Sequence, residues 1–442
     1  MHRHRIAIAG GGLLGMTIAL RAAQRGADVT IFEAAPALGG LADAWEIGDL
    51  RWDRHYHVTL LSDGALRGVL RELDLDREID WVTTRTGFFT DGRFHSMSDT
   101  LEFLRFPPLG LVDKLRLGLT IAYGARIKDG VPLEGVLVEP WLRGLSGSRT
   151  FEKIWRPLLR AKLGDRYGIT SASFIWAIIT RLYAARRSGL KRELFGYVPG
   201  GYARVLERFE AHLRALGVRV VTGRAVREIA SDGTGARLTL ADGTTHPADA
   251  VVATFASPLI ARVMPMLRTD ERERLTDKIY QGIVCVSLVL DRPLGPYYVT
   301  NITDGWVPFT AVIDMSALVK PGTFGDRALA YLPKYVEPDD PLFERTDDEI
   351  VAEYVAALAR MYPDFTAARV VASRVSRVRY VFPIATLAYS ARVPAMRTSL
   401  PGVFVATSAQ IVNGTLNANE TVGLAERAVA ELFTATALEI SS

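Results

Sequence analysis

The sequence predicts an α/β fold that opens with a dinucleotide-binding βαβ unit. Three observations within residues 5–40 support this prediction: the apolar run RIAIA, the pattern G-x-G-x-x-G that directly follows it, and a second strand-like run, ADVTIFE, that ends in an acid. Between the two runs, apolar residues recur at helical spacing up to Gly26, a residue type that commonly ends helices. The glycine pattern alone is common, but the complete succession of strand, turn, helix, strand and acid is typical of nucleotide binding.

Each glycine of the turn has a physical reason to be there. Gly10 lets the chain turn sharply after the strand, Gly12 leaves room for a pyrophosphate, and Gly15 lets the helix pack closely on the strand. The first turn of the helix, which contains Leu13 and Leu14, presents unpaired N–H groups to the pyrophosphate. This turn is therefore the predicted phosphate site.

The acid that ends the second strand is Glu33. It follows the glycine turn by roughly 20 residues and is placed to accept hydrogen bonds from ribose hydroxyls. Its negative charge would repel a 2′-phosphate, which argues against NADP. The choice between FAD and NAD depends on the residues that follow Glu33.

Length and composition indicate a globular protein large enough for two domains, with 442 residues of which 49% are hydrophobic and 23% charged. The net charge of +4, without a clustered basic patch, indicates no nucleic-acid partner. The single cysteine, Cys285, excludes an internal disulfide and a cysteine-based metal site, and its apolar neighbours predict an inert buried thiol. We expect no metal ion. The chain has neither an export signal nor an apolar run of membrane-spanning length, which favours a cytoplasmic location.

Residues 33–45, EAAPALGGLADAW, continue the motif in a way that decides the cofactor. They resemble the extended fingerprint of the flavin amine oxidase, protoporphyrinogen oxidase and carotenoid (phytoene) desaturase superfamily. The resemblance implies that FAD is the cofactor and that Gly39 and Gly40 pass close to its pyrophosphate and ribityl chain. It also places Ala34, Leu41 and Ala42 beside the cofactor. Leu41 stands where the superfamily usually has an arginine, so this side chain is not expected to contact a phosphate.

Three later segments resemble the same superfamily. The glycine pair at residues 200–201 precedes an amphipathic helix and a strand that reaches Val226, whose backbone the resemblance places against the adenine. The segment ADAVVATFAS resembles the strand that returns to the nucleotide, with Thr254 and Ala256 near the cofactor.

The closing segment GVFVATSAQIVNGTLNANETVGLAERAVAELF resembles the strand, loop and helix that complete the flavin site. The resemblance brings Asn413 and the start of the helix, with Glu420, Thr421 and Val422, to flavin N1 and O2. The positive end of the helix dipole would favour a reduced, anionic flavin. Asn413 and Asn417 flank a glycine, so turn formation also accounts for them.

The resemblance implies a three-part architecture. A discontinuous Rossmann-type FAD-binding domain comprises residues 1–95, 196–260 and 396–442. An antiparallel-sheet substrate domain comprises residues 261–395, and a helical insertion comprises residues 96–195.

The segment RWDRHYHVTLLSD contains the candidate catalytic histidines. His55 and His57 alternate, so in an extended run they share one face while Tyr56 takes the other. The resemblance directs this segment towards the flavin ring, where His55 and Tyr56 would contact the cofactor. A neutral imidazole there can accept a substrate proton while a C–H bond gives hydride to N5. The alternative is that one histidine hydrogen-bonds backbone or cofactor and the other lies at the surface.

Two further groups are candidates for the substrate site. Tyr380, Pro383 and Tyr389 lie where the superfamily brings its substrate sheet over the flavin, and Tyr389 is a third candidate catalytic residue. Core aromatics of a sheet are an equally good interpretation. In FEKIWRPLLRAKLGDRYG, Arg156 and Arg160 are one helical turn apart and could clamp a carboxylate or phosphate, although a solvated basic helix is the commoner arrangement.

The helical insertion contains an amphipathic stretch, LVDKLRLGLTIAYGARIK. Leu111, Leu115 and Leu119 share one helical face, and we expect that face to pack inward. The other interpretation is a peripheral contact with anionic lipid at the inner face of a membrane, since basic residues surround the apolar face.

The resemblance predicts an FAD-dependent oxidoreductase that takes a hydride from a largely apolar, lipid-like small molecule. The chain has no second dinucleotide motif and no C-x-x-C, so we expect dioxygen or a quinone as electron acceptor. Amine, alcohol and carbon–carbon oxidation remain open. An alternative is a non-redox flavoenzyme resembling UDP-galactopyranose mutase, which acts on a sugar nucleotide, and another is a flavin-binding protein without turnover.

Overall fold

The computed structural model describes residues 4–184, 194–233, 235–412 and 414–440. Its strands are β1 (Arg5–Ala9), β2 (Asp28–Phe32), β3 (Ala44–Ile47), β4 (Leu50–Asp53), β5 (Asp80–Thr83), β6 (Thr86–Thr90), β7 (Arg93–Ser96), β8 (Leu194–Tyr197), β9 (Arg219–Val221), β10 (Val226–Ser231), β11 (Ala236–Leu240), β12 (Thr245–Ala248), β13 (Ala250–Ala253), β14 (Tyr280–Leu290), β15 (Val299–Ile302), β16 (Ala311–Asp314), β17 (Ala328–Val336), β18 (Val370–Pro383) and β19 (Val403–Val405).

The helices of the described residues are α1 (Leu13–Gln24), α2 (Gly64–Glu72), α3 (Thr100–Arg105), α4 (Leu111–Arg126), α5 (Val138–Ser146), α6 (Ser148–Thr150), α7 (Arg156–Leu163), α8 (Ala172–Ala184), α9 (Gly201–Ala215), α10 (Ser257–Val263), α11 (Thr269–Thr276), α12 (Asp347–Met361) and α13 (Ala418–Ile440). Among these residues, no helix combines the length and apolar character that a membrane crossing requires.

A five-stranded parallel sheet, in the order β19-β13-β1-β2-β9, lies beneath the glycine turn. Its central strands are continuous apolar runs because both faces of the sheet are covered. One face packs on α1, α9 and α13 through residues such as Ile18, Phe209 and Val429. The other face packs on the antiparallel sheet β10-β11-β12 and on α10, with Leu238 and Ile260 in the core. The start, middle and end of the chain thus meet in one α/β sheet, as expected for the fold class.

A second, seven-stranded sheet has the order β18-β14-β17-β16-β15-β6-β7. Its long strand β14 pairs antiparallel with β17 and β18 and is buried along all 11 residues. Cys285 lies in this strand, where burial raises the pKa of its thiol, in agreement with an inert core cysteine.

The predicted boundary at residue 95 does not separate the two sheets. Strand β6 pairs in parallel with β15 and antiparallel with β7, so residues 86–96 belong to the seven-stranded sheet. Phe88 and Phe89 are adjacent and both buried, because Phe89 packs in the core of this sheet while Phe88 packs in the core of the helical insertion. This double burial gives no alternation from which the pairing could be read in the sequence.

The helical insertion, α3 to α8, packs against the end of the seven-stranded sheet. Its core contains Phe151, Leu159 and Leu163, and these pack with Phe382 and Ile384 at the end of β18. The insertion is thereby fixed over the place where the sheet approaches the closing loop before α13.

The expectation that Leu111, Leu115 and Leu119 pack inward is wrong. These side chains are 80%, 64% and 60% exposed, respectively. The inward face of α4 instead carries Leu117 and Lys114, whose ammonium donates to the Leu104 carbonyl oxygen at 2.7 Å. The helix therefore turns a different side towards the core than expected. The expectation failed because it assumed that only apolar residues are buried, whereas Lys114 is buried with a backbone acceptor for its ammonium.

The glycines of the first turn differ in what the fold demands of them. A Cβ on Gly15 would lie 2.0 Å from the Gly10 carbonyl oxygen, so the helix could not stay against the strand. A Cβ on Gly12, whose backbone is extended (φ −70°), would meet the Gly40 Cα only at 3.8 Å, an ordinary contact. Packing therefore requires glycine at position 15 and leaves space at position 12.

We expect Gly15→Ala to lower the free energy of unfolding by about 1–3 kcal/mol or more, because the added methyl overpacks a backbone contact. Gly12→Ala should change it by less than about 1 kcal/mol, since the loss of a favourable helix N-cap residue is offset by a less flexible unfolded chain. Urea unfolding of both variants measures the difference. Equal destabilisation would contradict the distinction.

Candidate functional site

The N-terminus of α1 lies where β1 ends, with Gly12 as its N-cap residue. Within the described part of the chain no side chain caps this helix, and its first turn contains no acidic residue. The side chains of Leu13 and Leu14 are buried in the core, so their backbone N–H groups are the polar groups that the helix presents at this end. An uncapped N-terminus with space above Gly12 fits a pyrophosphate.

The second glycine pair lies against the first. The Gly39 N–H donates to the Gly11 carbonyl oxygen at 2.9 Å, and a Cβ on Gly40 would lie 3.0 Å from the Gly12 Cα. Both have positive φ, 135° for Gly39 and 59° for Gly40, which favours glycine at these positions. Leu41 and Ala42 follow in a short 3₁₀ turn, so these predicted residues flank the turn as the motif requires.

Glu33 lies beside the turn at the end of β2. Its Oε2 accepts the Gly11 N–H at 2.6 Å and its Oε1 accepts the Ala35 N–H at 2.8 Å, which fixes the carboxylate while Ala34 lies exposed next to it. A carboxylate has about four acceptor positions, so two remain for ribose hydroxyls. The arrangement fits the predicted role.

The opposite side of the turn is formed by the segment after β13. Thr254 Oγ1 lies 3.1 Å from the Ala9 carbonyl oxygen and 3.0 Å from that of Gly10, so it can donate to either. Ala256 is the N-cap residue of α10. Val226 begins β10, in the small sheet that covers this face of the parallel sheet.

The closing helix α13 begins at Ala418. Asn417 caps it: its Oδ1 accepts the Glu420 N–H at 3.0 Å, and its carbonyl oxygen accepts the Thr421 hydroxyl at 2.8 Å. Helix capping therefore accounts for Asn417. Val422 is fully buried, so its side chain belongs to the core. Asn413 lies outside the described residues.

The two histidines have different partners because the chain bends at Arg54 and His55. His55 is 8% exposed, with Nε2 3.1 Å from Ser376 Oγ and Nδ1 3.4 Å from the Leu41 carbonyl oxygen. Burial, and secondarily the nearby His57, lower the pKa of His55 to about 3. His55 is therefore a neutral, enclosed imidazole.

His57 lies beside a buried carboxylate, that of Asp53, to which no sequence pattern points. Its buried Nδ1 is 3.6 Å from Asp53 Oδ2, and its ring packs on Tyr202 with centroids 4.6 Å apart. Asp53 is 2% exposed and accepts the Tyr202 N–H at 2.6 Å. Residues four apart in an extended run are about 13 Å apart, so only the bend brings Asp53 and His57 together.

A cavity of about 80 Å³ lies between the helical insertion, the seven-stranded sheet and the closing loop. It is lined by Lys162, Phe174, Tyr335, Val381, Phe382, Pro383, Ala385, Tyr389, Ser408, Ile411, Gly414, Thr415 and Leu416. A second, open cavity of about 370 Å³ adjoins it, and Tyr389 lines both. Nine of the residues that line the first cavity are aromatic or aliphatic, while Lys162, Ser408 and Thr415 add polar groups to the same wall. Such a lining suits a largely apolar ligand that carries a few polar groups.

Two of the three predicted substrate residues line this cavity, and the third, Tyr380, is partly buried outside its lining. Pro383 and Tyr389 line the cavity, whereas the Tyr380 ring packs edge-on against Tyr280 with centroids 5.6 Å apart. The Tyr389 hydroxyl donates to the Ala409 carbonyl oxygen at 2.8 Å, and burial raises its pKa well above the usual range. Tyr389 thus forms part of the cavity wall, and its hydroxyl is already hydrogen-bonded to the backbone.

Tyr56 reaches this region through Tyr335. The two hydroxyls are 3.0 Å apart, and burial together with the neighbouring hydroxyl raises the pKa of Tyr56 well above its usual range. Tyr335, Phe174 and Phe382 were missed because they come from distant parts of the chain, and no local pattern distinguishes them from core aromatics.

The basic helix of the insertion contributes one inward cation. Arg156 pairs with Glu152, Arg160 with Asp165 and Arg166 with Glu337, so these arginines form a solvated, ion-paired surface. The Lys162 Nζ turns inward instead, 5.2 Å from the centroid of Tyr335 and 5.6 Å from that of Phe382. Among the described residues, Lys162 has no carboxylate within ion-pair distance, so cation–π contacts hold its ammonium in the cavity wall.

We expect His55 to make stability depend on pH between about 6.5 and 3. Because the pKa of His55 is about 3 in the folded protein and 6.5 ordinarily, over this range only the unfolded chain binds the proton. The free energy of unfolding is unaffected by His55 above pH 6.5 and falls as the pH decreases below it, by at most about 1.4 kcal/mol per pH unit. Urea titrations of wild type and His55→Gln at several pH values measure it, and parallel profiles would contradict the assignment.

Comparison with known proteins identifies the family. Residues 15–426 match the model of the flavin containing amine oxidoreductases. The 15-cis-phytoene desaturase of Arabidopsis thaliana is 22% identical over 385 residues, which are 81% of this chain and 67% of that protein.

Two solved structures share the fold. A protein assigned as a protoporphyrinogen oxidase in Exiguobacterium sp. 255-15 has a TM-score of 0.77 at 17% identity, covering 98% of this chain and 99% of that one. Reduced UDP-galactopyranose mutase has a TM-score of 0.73 at 14% identity, covering 98% and 96% of the two chains. The family match and the glycine site agree on the cofactor, FAD, and on the enzyme class. The chain belongs to the flavin-containing amine oxidoreductase family and is an FAD-dependent oxidoreductase.

Proposed function

We propose that the protein oxidises a largely apolar, lipid-like small molecule by removing a hydride from one of its carbon atoms. When bound, FAD supplies the hydride acceptor at flavin N5. The observation that carries the proposal is the aromatic cavity between the insertion, the sheet and the closing loop. Its walls, including Phe174 and Phe382, would hold an apolar molecule and exclude water from the reacting carbon.

The residues of the glycine turn would hold the cofactor. The N–H groups at the start of α1 and the adjoining backbone of Gly39 and Gly40 would bind the pyrophosphate, and Glu33 would accept ribose hydroxyls. The backbone near Val226 and Thr254 and the start of α13 would complete the site.

The charge of Lys162 disfavours positively charged substrates. A substrate ammonium in this cavity would face the Lys162 ammonium in surroundings of low dielectric, where like charges repel strongly. A neutral or acidic substrate meets no such repulsion. The cavity therefore favours oxidation of an alcohol or a carbon–carbon bond over oxidation of an amine, in line with the desaturases among the relatives.

The mutase-like alternative has less support. Its similarity concerns the fold, and a sugar nucleotide requires a clamp for its diphosphate. The arginines predicted for that clamp, Arg156 and Arg160, are occupied by Glu152 and Asp165.

Anaerobic bleaching of the bound flavin tests the function and the role of Lys162 together. We expect neutral polyenes or apolar alcohols to bleach the wild-type protein and aliphatic amines such as putrescine to fail. Lys162→Met should raise the rate with the amine about tenfold or more and change the rate with a neutral substrate by only a few-fold, since it removes the repulsion but keeps the volume.

Two controls accompany this panel. Lys153→Met changes an exposed lysine that pairs with Asp91 and should behave as wild type. Gly12→Ala should remain folded but take up little flavin. Bleaching of the wild type by amines alone would contradict the substrate class, and turnover of UDP-galactose only after dithionite reduction would establish the mutase alternative.

His57 lines a small pocket with Asp53 and Tyr202 that is separate from the aromatic cavity. We propose that it accepts the substrate proton beside the buried Asp53 carboxylate, a role that requires the reacting carbon to extend from the aromatic cavity towards this pocket. We expect His57→Ala to keep its flavin and to be reduced about 100-fold more slowly, the usual scale for loss of a general base. His55→Gln is the matched control, because His55 already hydrogen-bonds as a neutral group. Normal anaerobic reduction of His57→Ala would end the assignment of a base to this position.

A further inference from the structure

The outer surface of the helical insertion carries large apolar side chains in contact with solvent. Nine large apolar side chains of the described residues are at least half exposed, and seven of them lie on α3 and α4. We call this set the α3–α4 face; it consists of Leu101, Leu104, Leu111, Val112, Leu115, Leu119 and Tyr123. Such clustering is unusual for solvent-facing helices, whose outer face is normally polar, and it marks an interaction surface.

The face is a continuous ridge along α4. Leu111, Leu115, Leu119 and Tyr123 follow one another at intervals of four residues, so they form a single stripe along a helix of 16 residues, about 24 Å long. The stripe makes no contribution to the core, because the opposite side of α4 supplies the buried residues, among them Leu117. The stripe is therefore an exposed helix face.

Basic side chains accompany the ridge. Arg105, Arg116, Arg126 and Lys128 are all exposed, and none has a carboxylate within ion-pair distance among the described residues. The acids of the same region are largely engaged: Glu102 accepts bonds from Ser96 and Ser98 and pairs with Arg85, and Asp113 lies 3.6 Å from Arg149.

We propose that the α3–α4 face docks the protein on the surface of a membrane that contains anionic lipid. An apolar ridge bordered by unpaired cations is what an interfacial helix presents to a bilayer: the leucines enter the acyl boundary and the cations contact anionic headgroups. The charge complementarity favours a lipid surface over a second copy of the chain, whose own ridge carries the same cations.

The α3–α4 face and the substrate cavity lie on opposite sides of the same helical insertion. The insertion that carries the ridge on its outside supplies Lys162 and Phe174 to the substrate cavity on its inside. If the substrate is apolar, as proposed above, it partitions into the bilayer and would reach the cavity from a docked enzyme. This route for the substrate rests on the proposed function, whereas the docking itself rests on the ridge and its charges.

Flotation of the full-length, flavin-loaded protein with vesicles tests the proposal. We expect binding to vesicles of phosphatidylcholine and phosphatidylglycerol in equal parts, weaker binding to phosphatidylcholine alone, and a decline with rising salt. The triple variant Leu111→Asp, Leu115→Asp, Leu119→Asp should bind at least tenfold less. The double variant Met266→Asp, Val371→Asp changes exposed apolar residues elsewhere and should bind as wild type.

A second triple variant, Arg105→Gln, Arg116→Gln, Lys128→Gln, should lose the preference for phosphatidylglycerol and keep its flavin. Flavin content and circular dichroism of every variant report whether it folds. Failure of the wild type to float with either vesicle, or undiminished flotation of the aspartate variant, would overturn the proposal. So would a dimer in sedimentation equilibrium that the aspartate variant dissociates, since the face would then join two copies. Failure of flavin bleaching with intact flotation would remove the proposed function and leave the docking.

Discussion

The structure depends on the close approach of two backbone turns at the start of α1. Gly15 rests against the Gly10 carbonyl oxygen, and the Gly39 N–H donates to the Gly11 carbonyl oxygen at 2.9 Å. These contacts fix the helix on the sheet and bring the second glycine pair beside the uncapped helix end. Glu33 is fixed to the same turn by the Gly11 N–H. A phosphate site of this kind is made of backbone, so it exists only where side chains are absent.

This origin in the backbone explains why the sequence predicted the geometry of the glycine turn well. The requirement for glycine at position 15 is local, and the succession of strand, turn, helix and acid spans fewer than 40 residues. The fold class and cofactor followed from it and from the resemblance. The sequence could not reveal the partner of β6, because Phe88 and Phe89 are buried on opposite faces and show no period. It also misassigned the outward side of α4, where a lysine, Lys114, is the buried residue.

The aromatic cavity was only partly predictable for a different reason. Pro383 and Tyr389 lie in a segment whose resemblance to a substrate sheet is visible, but Tyr335, Phe174 and Lys162 meet them from other elements. The basic helix illustrates the limit: five cations occur within residues 153–166, and the sequence does not show that Lys162 alone among them faces the aromatic rings. This segment begins with a π-helical turn and a proline, so residue spacing alone does not show which way each side chain of the helix points.

Asp53 joins the two halves of the molecule and gives the histidine segment its shape. Its side chain accepts the Tyr202 N–H at the start of α9, beneath the parallel sheet, and its carbonyl oxygen accepts the Tyr331 hydroxyl from β17 of the other sheet. A Cβ on Gly201 would lie 2.6 Å from Asp53 Oδ1, so the second residue of the Gly200–Gly201 pair makes room for this carboxylate. A buried carboxylate is costly unless it is hydrogen-bonded, and the Tyr202 N–H supplies such a bond to Asp53 Oδ1. The chain can then bend at Arg54, and the bend places His57 beside Asp53 and Tyr56 beside Tyr335. The residue that connects α9 to the seven-stranded sheet is therefore also the one beside which His57 lies.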